Sequence, residues 1–210
     1  MNYTSLKANV EEICEQTFTA DQHALFTQQA EQKIFNYVDL PAMRTSDDGP
    51  LVATNKVYTL PTDHLYTYSI SVITSSTSTF LLNKDVNFIR EAYPVNTSAK
   101  YGLPKFYAQF SETQIELAPT PDQNYEIEHV YARYPTSIVT AGSSFLGTKY
   151  DTALLNGTLL EAIRFQKGEA DMIALYDKHY LQAITLLKQA GDGKLRQDMY
   201  RSGQTKTAVS

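Results

Sequence analysis

The chain reads as an α+β protein: a four-helix bundle formed by its N- and C-terminal helices, an antiparallel β domain inserted between them, and an extended C-terminal tail. Three observations lead there. All eight prolines fall between residues 41 and 135, and proline is excluded from helix interiors because it lacks an N–H and clashes with the preceding turn. Nine of the fifteen tyrosines lie between Tyr58 and Tyr134, where strands favour them. Both flanks instead place apolar residues three and four positions apart, the spacing of one helix face. The expected organisation is a first half-bundle at 1–45, a β-rich insert at 46–142, a second half-bundle at 143–193 and an arm at 194–210.

The first helix carries Leu6, Val10 and Ile13 on one face and should end near Gln16. A second begins at a capping box, in which Thr19 bonds the amide of Gln22 and Gln22 reaches back. Its stripe is Phe26, Ala30, Ile34 and Tyr37, with Pro41 as the stop. Ser46-Asp47-Asp48-Gly49-Pro50 is a dense turn signal. Strand patterns follow at 51–60 and 65–73, separated by Pro61-Thr62-Asp63. The stretch 75–79 is all Ser and Thr and reads as a hairpin tip, followed by a short strand at 80–83. Asp85 caps a short helix bearing Val86, Ile89 and Arg90, which ends before Pro94. A hairpin joins 105–110 to 113–118, and 125–134 is a strand with both faces partly covered. The C-terminal flank returns to helical spacing. Leu155, Leu159, Ala162 and Ile163 form one stripe, with Gly168 as its cap. Met172, Tyr176, Tyr180, Ala183 and Leu187 form the next, which should end at Gly191.

Composition narrows the function classes. No apolar run is long enough to span a bilayer. The opening Met1-Asn2-Tyr3-Thr4 lacks the basic-then-apolar pattern of a secretory leader. A single cysteine, Cys14, cannot pair within the chain, which suits a reducing compartment. The net charge of −5 is uneven: residues 1–193 hold 14 Lys and Arg against 22 Asp and Glu, whereas 194–210 holds four basic residues against Asp198. An acidic body opposes tight phosphate binding, and a short basic tail is either a solvated end or an arm for an acidic partner.

Little chemistry shows. His23, His64, His129 and His179 stand apart with no paired helical spacing for zinc. His23 and His179 read as surface residues and Cys14 as a buried, inert thiol. No P-loop, GxGxxG or GxSxG occurs, and Ser143 and Ser144 have no base that spacing identifies. Asp47-Asp48 reads as a turn, Glu11-Glu12 as a solvated helix face, and Glu126 with Glu128 as one face of a strand. No catalytic, metal or cofactor motif is legible in these residues. The alternative is a carbohydrate-binding module, for which Tyr66, Tyr68 and Tyr107 would form an exposed flat row, although the chain has no tryptophan.

Several stretches resemble the phage adaptor family, the head-to-tail connector or neck proteins of tailed bacteriophages. They are Phe26-Thr27-Gln28-Gln29-Ala30-Glu31-Gln32-Lys33-Ile34, Leu60-Pro61-Thr62-Asp63, Tyr101-Gly102-Leu103-Pro104-Lys105-Phe106-Tyr107 and Leu117-Ala118-Pro119-Thr120-Pro121-Asp122. The strand at 125–134 and the pair formed by 153–162 and 176–180 complete the pattern, which runs from about residue 18 to 202. Each motif shapes backbone, and Gly157 admits a close helix. The resemblance implies a subunit of a ring, commonly dodecameric, below the portal protein at the capsid vertex. Such a ring extends the DNA channel, lets genomic DNA pass without specific binding, and offers a docking face to tail or nozzle proteins. It implies a place in the virion neck after assembly in the host cytoplasm, no membrane, and no catalysis, metal or cofactor. In related adaptors the helices sit near the portal, the β domain faces outward or tailward, and the C-terminal segment inserts into the portal. On that pattern Lys194, Arg196, Tyr200 and Arg201 are the portal-binding candidates.

Overall fold

The computed structural model describes residues 1–75, 77–94 and 97–195. In chain order, helices α1 (Tyr3–Cys14) and α2 (Ala20–Tyr37) precede strands β1 (Arg44–Leu51), β2 (Val57–Thr59), β3 (Tyr66–Thr74), β4 (Thr77–Phe80) and β5 (Leu82–Asn83). Helix α3 (Val86–Ala92) then leads into β6 (Phe106–Ser111), β7 (Gln114–Ala118) and β8 (Tyr125–Ala132). The chain closes with α4 (Ile138–Ala141), α5 (Phe145–Lys149), α6 (Asp151–Phe165) and α7 (Ala170–Leu195). The class is α+β. The chain divides into a helical unit, Met1–Met43 with the chain from Tyr134 onward, and a β unit, Arg44–Arg133.

In the helical unit α6 is the hub, packing on α1, α2, α5 and α7. Gly157 shows how closely it is approached: a Cβ there would lie 3.0 Å from Tyr180 Cε2 on α7 and 3.1 Å from Ala30 Cβ on α2. The capping box of α2 forms as expected, with Thr19 Oγ1 accepting from Gln22 N at 3.3 Å and Gln22 Oε1 accepting from Thr19 N at 2.9 Å. Phe26, Ala30 and Ile34 are buried, whereas Tyr37 is exposed at the end of the helix. In α1 the core stripe is Leu6, Val10 and the half-buried Cys14, because steps of four carry it past Ile13, which is exposed. Burial pushes the Cys14 thiol up, away from the reactive thiolate. Helices α4 and α5 are too short to leave a periodic signal. Glu31 of α2, 4% exposed, accepts from Ile138 N at 2.9 Å and so satisfies the first amide of α4. Desolvation raises its carboxyl above the usual range.

Two expected helix ends differ. After α6 the left-handed residue is Lys167, with φ 56°, and Gly168 follows it, donating to Ile163 O at 3.0 Å. Gly191 does not stop α7, which continues to Leu195. A Cβ at Gly191 would lie 3.2 Å from Asp39 O and 3.2 Å from Leu40 Cδ2, so this glycine serves close packing rather than a turn.

The β unit is a sandwich of two four-stranded sheets, ordered β1-β8-β3-β4 and β2-β7-β6-β5. Every pairing is antiparallel except β5 with β6. Leu51, Ile70, Val72, Tyr125 and Ile127 of the first sheet share a core with Tyr58, Tyr107, Ile115 and Leu117 of the second. Helix α3, capped by Asp85 Oδ1 on Asn87 N at 2.7 Å as expected, packs with Ala108 and Ala118 against the outer face of the second sheet. The expected turn at 46–50 is instead the body of β1, paired from Arg44↔Ala132 to Leu51↔Tyr125. Strand β1 lies at a sheet edge, where Pro50 breaks no ladder and Asp48 faces solvent. The expected strand at 51–60 shrinks to β2 after the end of β1. The hydroxyl-rich tip is also shorter than expected, since Thr77, Ser78 and Thr79 already pair with β3.

Candidate assembly surface

Helix α7 carries two apolar faces. The inner one buries Ile184 and Leu187 and half-buries Tyr176, Tyr180 and Ala183 against the core. Ile184 was not in the expected stripe, and Met172, which was, is exposed. Among the described residues nothing covers the outer face. Ala174, Lys178, Leu181 and Thr185 follow one another at helical spacing, with Gln182 and Leu186 alongside. Leu186 is 68% exposed, Leu181 53%, and Leu175 on the same helix 45%. Asp177 joins Ala174, Lys178, Leu181, Gln182, Thr185 and Leu186 in lining a shallow open groove of about 700 Å³.

The surroundings hold that face in place. Arg164 of α6 reaches Asp177 Oδ1 at 3.4 Å and Glu161 Oε1 at 3.4 Å, and Lys33 of α2 meets the same Glu161 oxygen at 2.6 Å. Burial, with the Glu161 charge nearby, pushes the Tyr180 hydroxyl up to about 12, so it stays neutral behind the groove. Thr185 Oγ1 donates to Leu181 O at 2.8 Å, so its hydroxyl proton is used within the helix. A contiguous exposed apolar patch, unlike singly scattered apolar residues, marks an interaction site.

The residues singled out by sequence scatter. Lys194 falls in the last turn of α7, and Arg196, Tyr200 and Arg201 lie outside the described residues. The exposed tyrosine row is not there: Tyr107 is 6% exposed within the sandwich core. Tyr66 and Tyr68 meet edge-on, with ring planes 66° apart, and the Arg44 guanidinium covers Tyr68 at 4.2 Å. His23 is buried rather than at the surface, with Nε2 3.0 Å from Glu11 Oε1. That contact and a bond from Phe18 N lower the Glu11 carboxyl, so Glu11 joins α1 to the start of α2. Glu126 and Glu128 do share a face of β8, and Asp48 pairs across from Glu128 on β1. Among the described residues no three His, Cys, Asp or Glu side chains converge on one point.

What the helical unit presents is therefore apolar area for another surface to cover. The family model of the SU10 adaptor protein matches residues 1–206, nearly the whole chain. The chain belongs to the SU10 adaptor protein family. The match extends beyond the stretches at 18–202 that carry the resemblance, and it makes the chain a phage adaptor, a structural component of the virion. Comparison with the curated proteins returns no match. The adaptor leaves the outward leucines of α7, Leu175, Leu181 and Leu186, exposed. The signal that could have found them was a helix with apolar residues beyond one face, Leu175, Leu181 and Leu186 in addition to the inner stripe.

Proposed function

We propose that this adaptor assembles as a ring, dodecameric on the family pattern, below the portal protein, where it extends the DNA channel and offers a docking face to tail proteins. The observation that carries the ring is the leucine face of α7, exposed among the described residues. Closing a ring needs a heterologous contact repeated around an axis, and a 26-residue helix with an outward apolar ridge supplies one half of it. The long helices act together as the bundle that builds this contact, and the chain works as a scaffold rather than a catalyst.

The arm at 194–210, with Lys194, Arg196, Tyr200 and Arg201, binds the portal; arginine brings paired hydrogen bonds and tyrosine apolar area. The excess of acid over base in residues 1–193 disfavours phosphate, so DNA passes without adhering. Removing 194–210 is expected to leave the circular dichroism spectrum and melting curve near wild type and to abolish co-sedimentation with purified portal. Retained co-sedimentation would remove the arm from the account.

A further inference from the structure

A buried polar chain in the β unit plays no part in the assembly surface. His129, on the central strand β8, is 0% exposed. Its Nε2 lies 2.9 Å from Thr67 Oγ1, and on the other side of the same hydroxyl His64 Nε2 lies at 3.0 Å. A bulge in β3 makes this possible. Pairing with β8 shifts between Thr67 and Ser69, so Thr67 and Ile70 both face the interior although three residues apart. The two imidazoles sit 5.4 Å apart, and His129 stacks on Tyr131 at 5.0 Å. Tyr131 OH donates to Asp63 Oδ1 at 2.9 Å, and Arg133 donates to Asp63 Oδ2 at 3.2 Å. From β2 the Tyr58 ring meets His129 edge-on at 5.7 Å, and its hydroxyl donates to Asp47 of β1 at 3.4 Å. The charged and titratable groups facing the pair are thus Asp47, Tyr58, Asp63, Tyr131 and Arg133.

A hydroxyl has one proton to give. Thr67 must donate to one imidazole and accept from the other, so the rings hold opposite tautomers. His129 Nδ1 is buried without a hydrogen-bond partner. An orphaned N–H is rarer in protein interiors than an under-used acceptor, so Nδ1 is the bare nitrogen. His129 Nε2–H therefore donates to Thr67, Thr67 donates to His64 Nε2, and the half-buried His64 carries its proton on Nδ1. We propose that this His129–Thr67–His64 relay is an acid-operated latch, which pins the turn at 61–67 to the sandwich while both rings are neutral and lets it go when His64 takes a proton. Protonated His64 presents a second N–H to a hydroxyl whose own proton then has no acceptor, beside a ring that has no room for charge. Burial already holds His64 below its ordinary value, and burial with the His64 charge holds His129 down to about 4.

The test uses the full chain with ¹⁵N-labelled histidine. At neutral pH, imidazole correlation spectra are expected to show the Nε2–H tautomer for His129 and Nδ1–H for His64. On acidification, hydrogen-exchange protection of the amides in β3 and β8 falls as His64 titrates, below its ordinary 6.5. His64→Gln keeps an acceptor for Thr67 but takes no proton, so it retains neutral-pH protection and holds it about a pH unit further into acid. Thr67→Val removes the hydroxyl that joins the two rings and is expected to lower the protection of β3 and β8 already at neutral pH. An Nδ1–H tautomer at His129, or loss of protection in His64→Gln at the wild-type pH, would overturn the latch.

Discussion

Replacing Leu181 and Leu186 together by glutamine isolates the role of the α7 ridge. Glutamine is about as good a helix former as leucine, so the helix itself should tolerate the change. In the chain alone the two side chains are 53% and 68% exposed, and little of the core is touched. Burying a whole leucine is worth about 1.5–3 kcal/mol. Scaled by these exposures, covering both at a neighbour contributes about 2–3.5 kcal/mol per interface, or roughly 30- to 400-fold in its association constant. A closed ring repeats that loss at every contact, so the double variant should stay monomeric at concentrations where the wild type assembles. Sedimentation velocity reads the assembly, and a melting curve run beside it reads the fold. If the double variant assembles at the wild-type concentration with an unchanged melt, the ridge is not the ring contact.

Three further outcomes test the packing. Gly191→Val should destabilise the chain by about 1–3 kcal/mol through overpacking against Val38, Asp39 and Leu40, despite valine's better helix propensity; an unchanged melting temperature would contradict the close approach. Glu31→Ala leaves the amide of Ile138 unpaired in the interior and should cost about 1–3 kcal/mol by urea denaturation, whereas loss of only a few tenths would mean water replaces the carboxylate. Because His129 is held from 6.5 down to about 4, its unfolded form binds more protons between those values. Stability from that site is therefore complete above 6.5 and falls by about 3 kcal/mol as pH drops to about 4; His129→Phe, if it folds, should flatten that part of the profile.

Local chemistry was the part legible in the sequence. Thr19 with Gln22 and Asp85 with Asn87 act within three residues, so nothing distant can overrule them. Ser46-Asp47-Asp48-Gly49-Pro50 misled because a turn and an edge strand accept the same residues, and only the pairing with β8 separates them. Gly191 misled in a similar way, since glycine serves both a helix end and a close contact, and the contact partners lie about 150 residues away in the chain. Leu181 and Leu186 look like core residues by type, and their outward direction emerges only once Ile184 and Leu187 have taken the inner face. The histidine relay was out of reach altogether. It joins positions 64, 67 and 129 through a bulge that breaks the strand alternation on which a sequence reading depends.

The central claim is assembly on the portal. Negative-stain class averages of purified portal rings mixed with the full-length chain test it most directly. The account predicts an added ring of density centred on the portal axis, absent when the Leu181→Gln/Leu186→Gln variant replaces the wild type. Bare portal rings beside free monomers of the wild-type chain would contradict it.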